Sequence, residues 1–210
     1  MYKPKHFSQD NVQEMQSLMA ASPLATLVIV GEHGLVANHI PFVCRSAESR
    51  PTQLIAHIPR VNPLSQILSS AKNCLAIFHG PDGYISPSYY ATKPKHGKVV
   101  PTWNYSVVHV HGVAKLVDDP SWVREQIELL TNVQEGRRAS SWSVSDAPGD
   151  FVESLVKALV GIEVSVDRIE GKIKASQNQP EANQRSVLKS IEKDYPDSGL
   201  SRLMQSVLDR

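Results

Sequence analysis

Leu24-Ala25-Thr26-Leu27-Val28-Ile29-Val30, then Glu32-His33-Gly34, then Leu35-Val36-Ala37-Asn38-His39-Ile40-Pro41-Phe42-Val43 is the stretch whose reading sets the fold class. Each apolar run has the length and the β-branched content of a strand, and the short polar segment between them has turn chemistry. Two strands joined so tightly must pair antiparallel, because a parallel pair needs a long crossover. Working outward, further strands are expected at Gln53 to Ile58, Cys74 to His79 and Val99 to Val117. Another is expected where Ile162, Val164 and Val166 alternate with Glu163, Ser165 and Asp167, the period of a half-buried strand. Gly80-Pro81-Asp82-Gly83 reads as a turn, and Gly112 as a bend or bulge within the long strand segment.

Helical spacing fills the gaps. Val12, Met15, Leu18 and Met19 recur on one side of a helix ending before Ser22-Pro23. Asn62-Pro63 and Asp119-Pro120 both pair a capping side chain with proline at the first helical position. Phe151, Leu155 and Leu159 mark a further helix that Gly161 is placed to stop, and Pro180-Glu181 opens another. Leu200, Leu203, Met204, Val207 and Leu208 form the stripe of a last helix. Hairpins with inserted helices, rather than regular strand-helix alternation, indicate an α+β protein built on an antiparallel sheet, curling toward a barrel, with peripheral helices.

The chain has 210 residues, 41% of them hydrophobic, enough for one sizeable core. The reading divides it into a main domain over residues 1–193 and a helical tail over 194–210. Formal net charge is +1, which gives no global attraction to nucleic acid or anionic membrane. Cys44 and Cys74 sit in apolar runs and read as buried free thiols. No secretory leader and no run long enough to span a membrane is expected, so the expected location is the cytoplasm.

Several stretches carry more polar chemistry than a core requires. Tyr84 to Tyr90, with Ser86, Ser88 and Tyr90, precedes a basic loop of Lys93, Lys95, His96 and Lys98. Thr102-Trp103-Asn104-Tyr105 follows; if it is extended, Thr102 and Asn104 face one way and Trp103 and Tyr105 the other. Arg60 stands just before the helix start at Asn62, a fork of donors beside free amides that suits an anion. Asn38 and His39 place amide and imidazole donors inside an apolar strand, where burial requires partners; the ring edge of a ligand could supply them, and so could backbone groups of a neighbouring loop. Lys172 to Asn178, which contains Gln177, reads either as a charged turn or as a second flank of the same anion site. A planar, anionic ligand fits this mixture of hydroxyls, cations and rings. His109 and His111 share a strand face, but two ligands make no metal site and none is assigned. No catalytic residue can be picked out.

Taken together these motifs resemble the PaiB family of FMN-binding negative transcriptional regulators. The resemblance runs from Met1-Tyr2-Lys3-Pro4-Lys5-His6-Phe7 through Asn38-His39-Ile40-Pro41-Phe42, Tyr84-Ile85-Ser86-Pro87-Ser88-Tyr89-Tyr90 and Val100-Pro101-Thr102-Trp103-Asn104-Tyr105 to Ser176-Gln177-Asn178. It implies a split β-barrel of the pyridoxamine-phosphate-oxidase-like type, FMN as cofactor, and a homodimer with FMN at the subunit interface. It further implies that Arg60 serves the phosphate and that the Lys98 to Asn104 segment touches phosphate or flavin. Direct contact with DNA is open, and the basic loop at Lys93 to Lys98 is the surface for it. A flavin-dependent oxidoreductase acting on a small substrate is the alternative, and a tetrapyrrole-handling protein a distant third.

Overall fold

The computed structural model describes residues 1–48 and 50–209. The hairpin forms as its sequence dictates, with Thr26 opposite His39 and Gly31 opposite Gly34 across the Glu32-His33 turn. Gly34 takes φ +120, a conformation that side-chain-bearing residues rarely adopt.

In chain order the elements are β1 (Ser8–Gln9), α1 (Val12–Ala21), β2 (Leu24–Gly31), β3 (Gly34–Pro41), β4 (Val43–Ala47), β5 (Arg50–Pro59) and α2 (Leu64–Ile67). They continue with β6 (Lys72–Ile85), α3 (Lys93–His96), β7 (Thr102–Val117), α4 (Pro120–Glu135), α5 (Gly149–Lys157), β8 (Leu159–Lys174), α6 (Glu181–Asp194) and α7 (Leu200–Leu208). Short 3-10 turns occur at Lys5–Phe7, Pro87–Tyr89 and Val144–Asp146. The chain forms two compact units: a first of residues 1–18, 79–108 and 170–210, and a second of residues 19–78 and 109–169.

In the second unit the strands follow the order β3-β2-β6-β7-β8-β5-β4, with β2 antiparallel to β3 and β6, and β5 antiparallel to β4 and β8. The two ends of this path, β3 and β4, are consecutive in the chain with only Phe42 between them. Ala25, Leu27 and Ile29 alternate inward along β2 and are essentially unexposed, and Phe78 meets Phe42 edge-on at 6.4 Å. Each large side chain buried this way contributes about 1.5–3 kcal/mol. Beneath α4 and α5, Val123, Val144, Val152 and Val156 form a satellite core. Asp119 caps α4 by accepting the Ser121 N–H at 2.9 Å, as its place before Pro120 predicts.

In the first unit β1 pairs antiparallel with the end of β8, Ser8 opposite Lys172 and Gln9 opposite Gly171. A core of Ile85, Tyr90, Ile173, Ala175, Val187, Leu188, Ile191, Leu200 and Met204 joins the strand ends to α6 and α7. Residues 194–210 thus contribute buried side chains to this unit's core.

Three sequence expectations need correction. Gly80-Pro81-Asp82-Gly83 is not a turn; β6 runs straight through it to Ile85. A Cβ on Gly80 would stand 2.1 Å from Ser106 Oγ, and one on Gly83 2.8 Å from Leu200 Cδ2, so these glycines mark close approach. Gly161 does not stop a helix; α5 ends at Lys157, and Gly161 lies in β8 under the Trp122 ring, 2.3 Å from where a Cβ would be. Gly112 sits in an unbroken β7, its missing side chain leaving room for the Ser165 carbonyl oxygen.

Candidate functional site

The first unit contains a cavity of about 220 Å³. Its polar wall is Lys98, Thr102, Asn104, Lys174, Ser176, Asn178 and Gln179, and its apolar wall Phe7, Tyr90, Val99, Val100 and Pro101. The start of β7 and the end of β8 supply Thr102, Asn104 and Lys174, while Lys98 comes from the segment before β7 and Ser176, Asn178 and Gln179 from the turn after β8. Thr102 and Asn104 fall on the cavity side of β7, while Trp103 points away, 54% exposed, with its ring edge-on to Tyr84 at 6.1 Å. At the end of β8 and just beyond it, Ile173 and Ala175 join the core and Lys174 and Ser176 line the cavity.

The hydrogen bonds inside this wall orient it toward an anion. The Lys174 ammonium donates to the Thr102 hydroxyl oxygen, which leaves the Thr102 proton free to donate outward. Asn104 Nδ2 donates to Ser176 Oγ at 2.9 Å, and the Ser176 hydroxyl is freed in the same way. Asn104 is fully buried, yet its Oδ1 has no partner among the described residues. Ser176 is held at φ +68, a costly conformation for a residue with a Cβ. The wall therefore presents the lysines Lys98 and Lys174, two hydroxyl donors and one unused acceptor.

Charge compensation is missing. Lys174 pairs with no carboxylate among the described residues, and neither does its strand neighbour Lys172. Lys172 instead donates to the Tyr2 carbonyl oxygen at 3.1 Å, with its ammonium over the rings of Tyr2 and Tyr105. Burial pulls the Lys174 ammonium below its ordinary pKa; Tyr105 opposes the shift and Lys172 adds to it. An anion in the cavity would remove that penalty.

The residues expected from the sequence divide between the two units. In the first, Tyr90, Lys98, Thr102 and Asn104 meet at the cavity. Ser86 and Ser88 bond each other at 2.7 Å, and Ser86 caps the adjoining 3-10 turn. Gln177 folds back on its own strand end, Oε1 accepting the Ala175 N–H and Nε2 donating to the Ile173 carbonyl. In the second unit, Arg60 makes a fork-to-fork pair with Asp118 at 2.8 and 2.7 Å and donates to the Lys157 and Leu159 carbonyls. Its hydrogen bond holds the Asp118 carboxyl below the usual range. Asn62 Nδ2 donates to Asn38 Oδ1 at 3.3 Å while Asn62 Oδ1 accepts the Leu64 N–H, and His39 is exposed on β3.

Lys174, Ser176, Asn178 and Gln179 were not singled out by sequence, although the Lys172 to Asn178 stretch was. The signal the sequence offers is composition: an ammonium, a hydroxyl and amides follow one another from Lys174 to Gln179 just after the strand. A wider groove of about 550 Å³ in the second unit lies between the hairpin tip and the stretch from Pro63 to Lys72. It sets Lys72 against Glu32, charges of opposite sign, and holds no unpartnered buried polar atom among the described residues.

Comparison with known proteins agrees with this architecture. Residues 1–168 match the family described as "Putative FMN-binding domain". The chain is 30% identical to Uncharacterized protein AN0679 of Emericella nidulans, over 95% of this chain and 93% of that one. It is 26% identical to Protease synthase and sporulation protein PAI 2 of Bacillus subtilis, over 100% and 99%. Among solved structures, the FAD and Heme binding protein from Mycobacterium smegmatis superposes with a TM-score of 0.56 at 14% identity, covering 80% of this chain and 73% of that one. The α+β, mainly antiparallel split-barrel class expected from the sequence is the class observed. The chain belongs to the FMN-binding-domain family, the PaiB family whose motifs its sequence carries.

Proposed function

We propose that this protein binds FMN phosphate-first in the cavity of the first unit, that it does so as a homodimer, and that the flavin-bound dimer acts as a negative regulator of transcription. The observation that carries the reading is Lys174: a partly desolvated ammonium with no carboxylate partner, flanked by two hydroxyls whose protons are free to donate. This donor set suits a phosphate, whose oxygens take charge-assisted hydrogen bonds of about 1.5–3 kcal/mol each. The orphaned Asn104 Oδ1 suits a hydroxyl of the ribityl chain next to it. The residues present therefore fit the polar end of the group.

The cavity is about 220 Å³, below the roughly 300–1,000 Å³ of pockets that enclose a whole small ligand. It suits the phosphate and chain, and the flavin ring then needs further walls. A second copy of the chain is the source proposed for them. Arg60 would enter such a site only by exchanging Asp118 for phosphate. When bound, FMN supplies one- and two-electron redox chemistry at its ring. The chain's own groups bind and orient its phosphate end. The regulatory part is supported by the motif resemblance and by the name of the Bacillus subtilis relative.

The test is a fluorescence titration with FMN and with riboflavin, which lacks the phosphate. FMN should bind at micromolar concentration with quenched emission and a raised Tm. Riboflavin should bind at least about ten-fold more weakly, and Lys174→Met should bring FMN down to the riboflavin level, a change of about 1.4 kcal/mol or more. Equal affinities for the two flavins, or no binding of either, would overturn the phosphate-first reading. For regulation, binding to DNA upstream of the protein's own gene should weaken steeply with salt.

A further inference from the structure

We infer that Ser140 is a phosphorylation site, the acceptor of an arginine-directed serine kinase. α4 ends at Glu135, and the chain does not return to regular structure until the turn at Val144–Asp146. Between them runs Arg137-Arg138-Ala139-Ser140-Ser141-Trp142, every residue of it exposed. Two arginines stand three and two positions before a serine, with a small residue between. A kinase that reads basic sequence recognises such a spacing through its own carboxylates, each able to take a guanidinium fork in a bidentate pair.

The local structure leaves these groups available. Arg138 is 70% exposed and its pair with Glu135 is long, at 3.5 Å; exposed pairs of this kind contribute little. Arg137 gives a hydrogen bond to the Ala20 carbonyl at 2.8 Å, from a side chain otherwise in solvent. The Ser140 hydroxyl has no hydrogen-bond partner among the described residues. Ser141, equally exposed, stands one position further from the arginine pair, and the serines beyond it differ. Ser143 and Ser145 bond each other at 2.8 Å, and Ser143 is tied into a capping box with Asp146. The stretch from Ala139 to Trp142 can thus extend into a kinase cleft at the cost of the Trp142–Glu135 hydrogen bond, while Val144 beyond it stays in the core shared with α4 and α5.

In the reaction Ser140 Oγ attacks the γ-phosphorus of Mg-ATP. The new O–P bond forms as the bond to the β-phosphate oxygen breaks, ADP leaves with that electron pair, and the hydroxyl proton passes to the kinase's carboxylate base. The product places a near-dianionic group beside Arg138 and close in sequence to Glu135, whose carboxylate accepts the Trp142 N–H at 3.2 Å. Arg138 then has a stronger partner than Glu135, and the C-terminal end of α4 is re-tied.

The experiment treats the folded, full-length protein with the catalytic subunit of a cyclic-nucleotide-dependent serine kinase and Mg-ATP, and reads intact mass and fragment masses. One phosphoryl group on Ser140 is expected, with none on Ser140→Ala. Arg137→Ala or Arg138→Ala should each lower kcat/KM for phosphorylation by about ten-fold, equivalent to about 1.4 kcal/mol. The inference is overturned by no incorporation, by label on Ser141 or Ser143 instead, by rates indifferent to both arginines, or by incorporation only after unfolding in urea.

Discussion

Lys174 shows how one side chain links sequence, stability and binding. Its pKa in the folded chain is lowered, chiefly by burial, so between that value and the ordinary lysine value the unfolded chain holds more protons. Stability should therefore rise with pH through this window, and the penalty present below it is what a bound phosphate relieves. FMN affinity should follow a bell: rising as the phosphate takes its second charge near pH 6, then falling as Lys174 loses its proton below the ordinary lysine pKa of about 10.4. In Lys174→Met the alkaline limb should vanish; an alkaline limb kept in the variant would remove Lys174 from the phosphate site. Arg60 teaches the opposite lesson. Its place before a helix start reads as an anion donor, but the partner that engages it, Asp118, lies 58 residues away. Local sequence gives no sign of such a partner. Lys174 was hidden because the strand, expected to end near Asp167, continues to Lys174 and so carries it to the cavity.

At the level of elements, strands and helices were legible wherever apolar periodicity carried them, as in β2, β3, α4 and α7. Glycines misled, because turn chemistry and close approach use the same residue. Gly80 and Gly83 lie within the second half of β6, where Ser106 and Leu200 fill the space their side chains would take. A partner's proximity is a tertiary fact that no local pattern encodes. The contact between Gly80 and Ser106 is open to a double-mutant cycle. Gly80→Ala drives a methyl to 2.1 Å from Ser106 Oγ and 3.0 Å from Leu18 Cδ1, and overpacking of this kind costs about 1–3 kcal/mol. Ser106 Oγ is buried without a partner, so Ser106→Ala alone should be close to neutral or stabilising. Combined, the two changes should recover part of the loss, with a coupling of about 1 kcal/mol measured by urea unfolding. Additive losses would mean that Leu18, not Ser106, sets the limit.

For the molecule as a whole, the family match covers residues 1–168, yet the cavity takes Lys174, Ser176, Asn178 and Gln179 from beyond it. Those residues belong to a unit whose core includes the last helix. Leu200 and Met204 are almost completely buried against Ile85, Tyr90 and Ile191, and Met204 Sδ lies 3.7 Å from Asn104 Nδ2 on the cavity wall. The Tyr89 hydroxyl donates to Asp194 at 2.6 Å, which pushes its pKa up to about 12 and ties the strand exit to the end of α6. The stripe of α7 was visible in the sequence as an apolar face, but not what it covers, since an amphipathic helix serves a core and a partner chain equally well. Cutting either Leu200 or Met204 to alanine should cost about 2–5 kcal/mol, a large part of the roughly 5–15 kcal/mol that holds a domain together. Removing residues 194–210 deletes both at once and uncovers Ile85 and Ile191. The shortened chain should therefore lose FMN binding together with the protection of the first unit's strand amides in hydrogen exchange, while the amides of β2 and β5 in the second unit remain protected. A shortened chain that still binds FMN with the affinity of the full one would mean that the cavity keeps its shape without the helix that packs against Asn104.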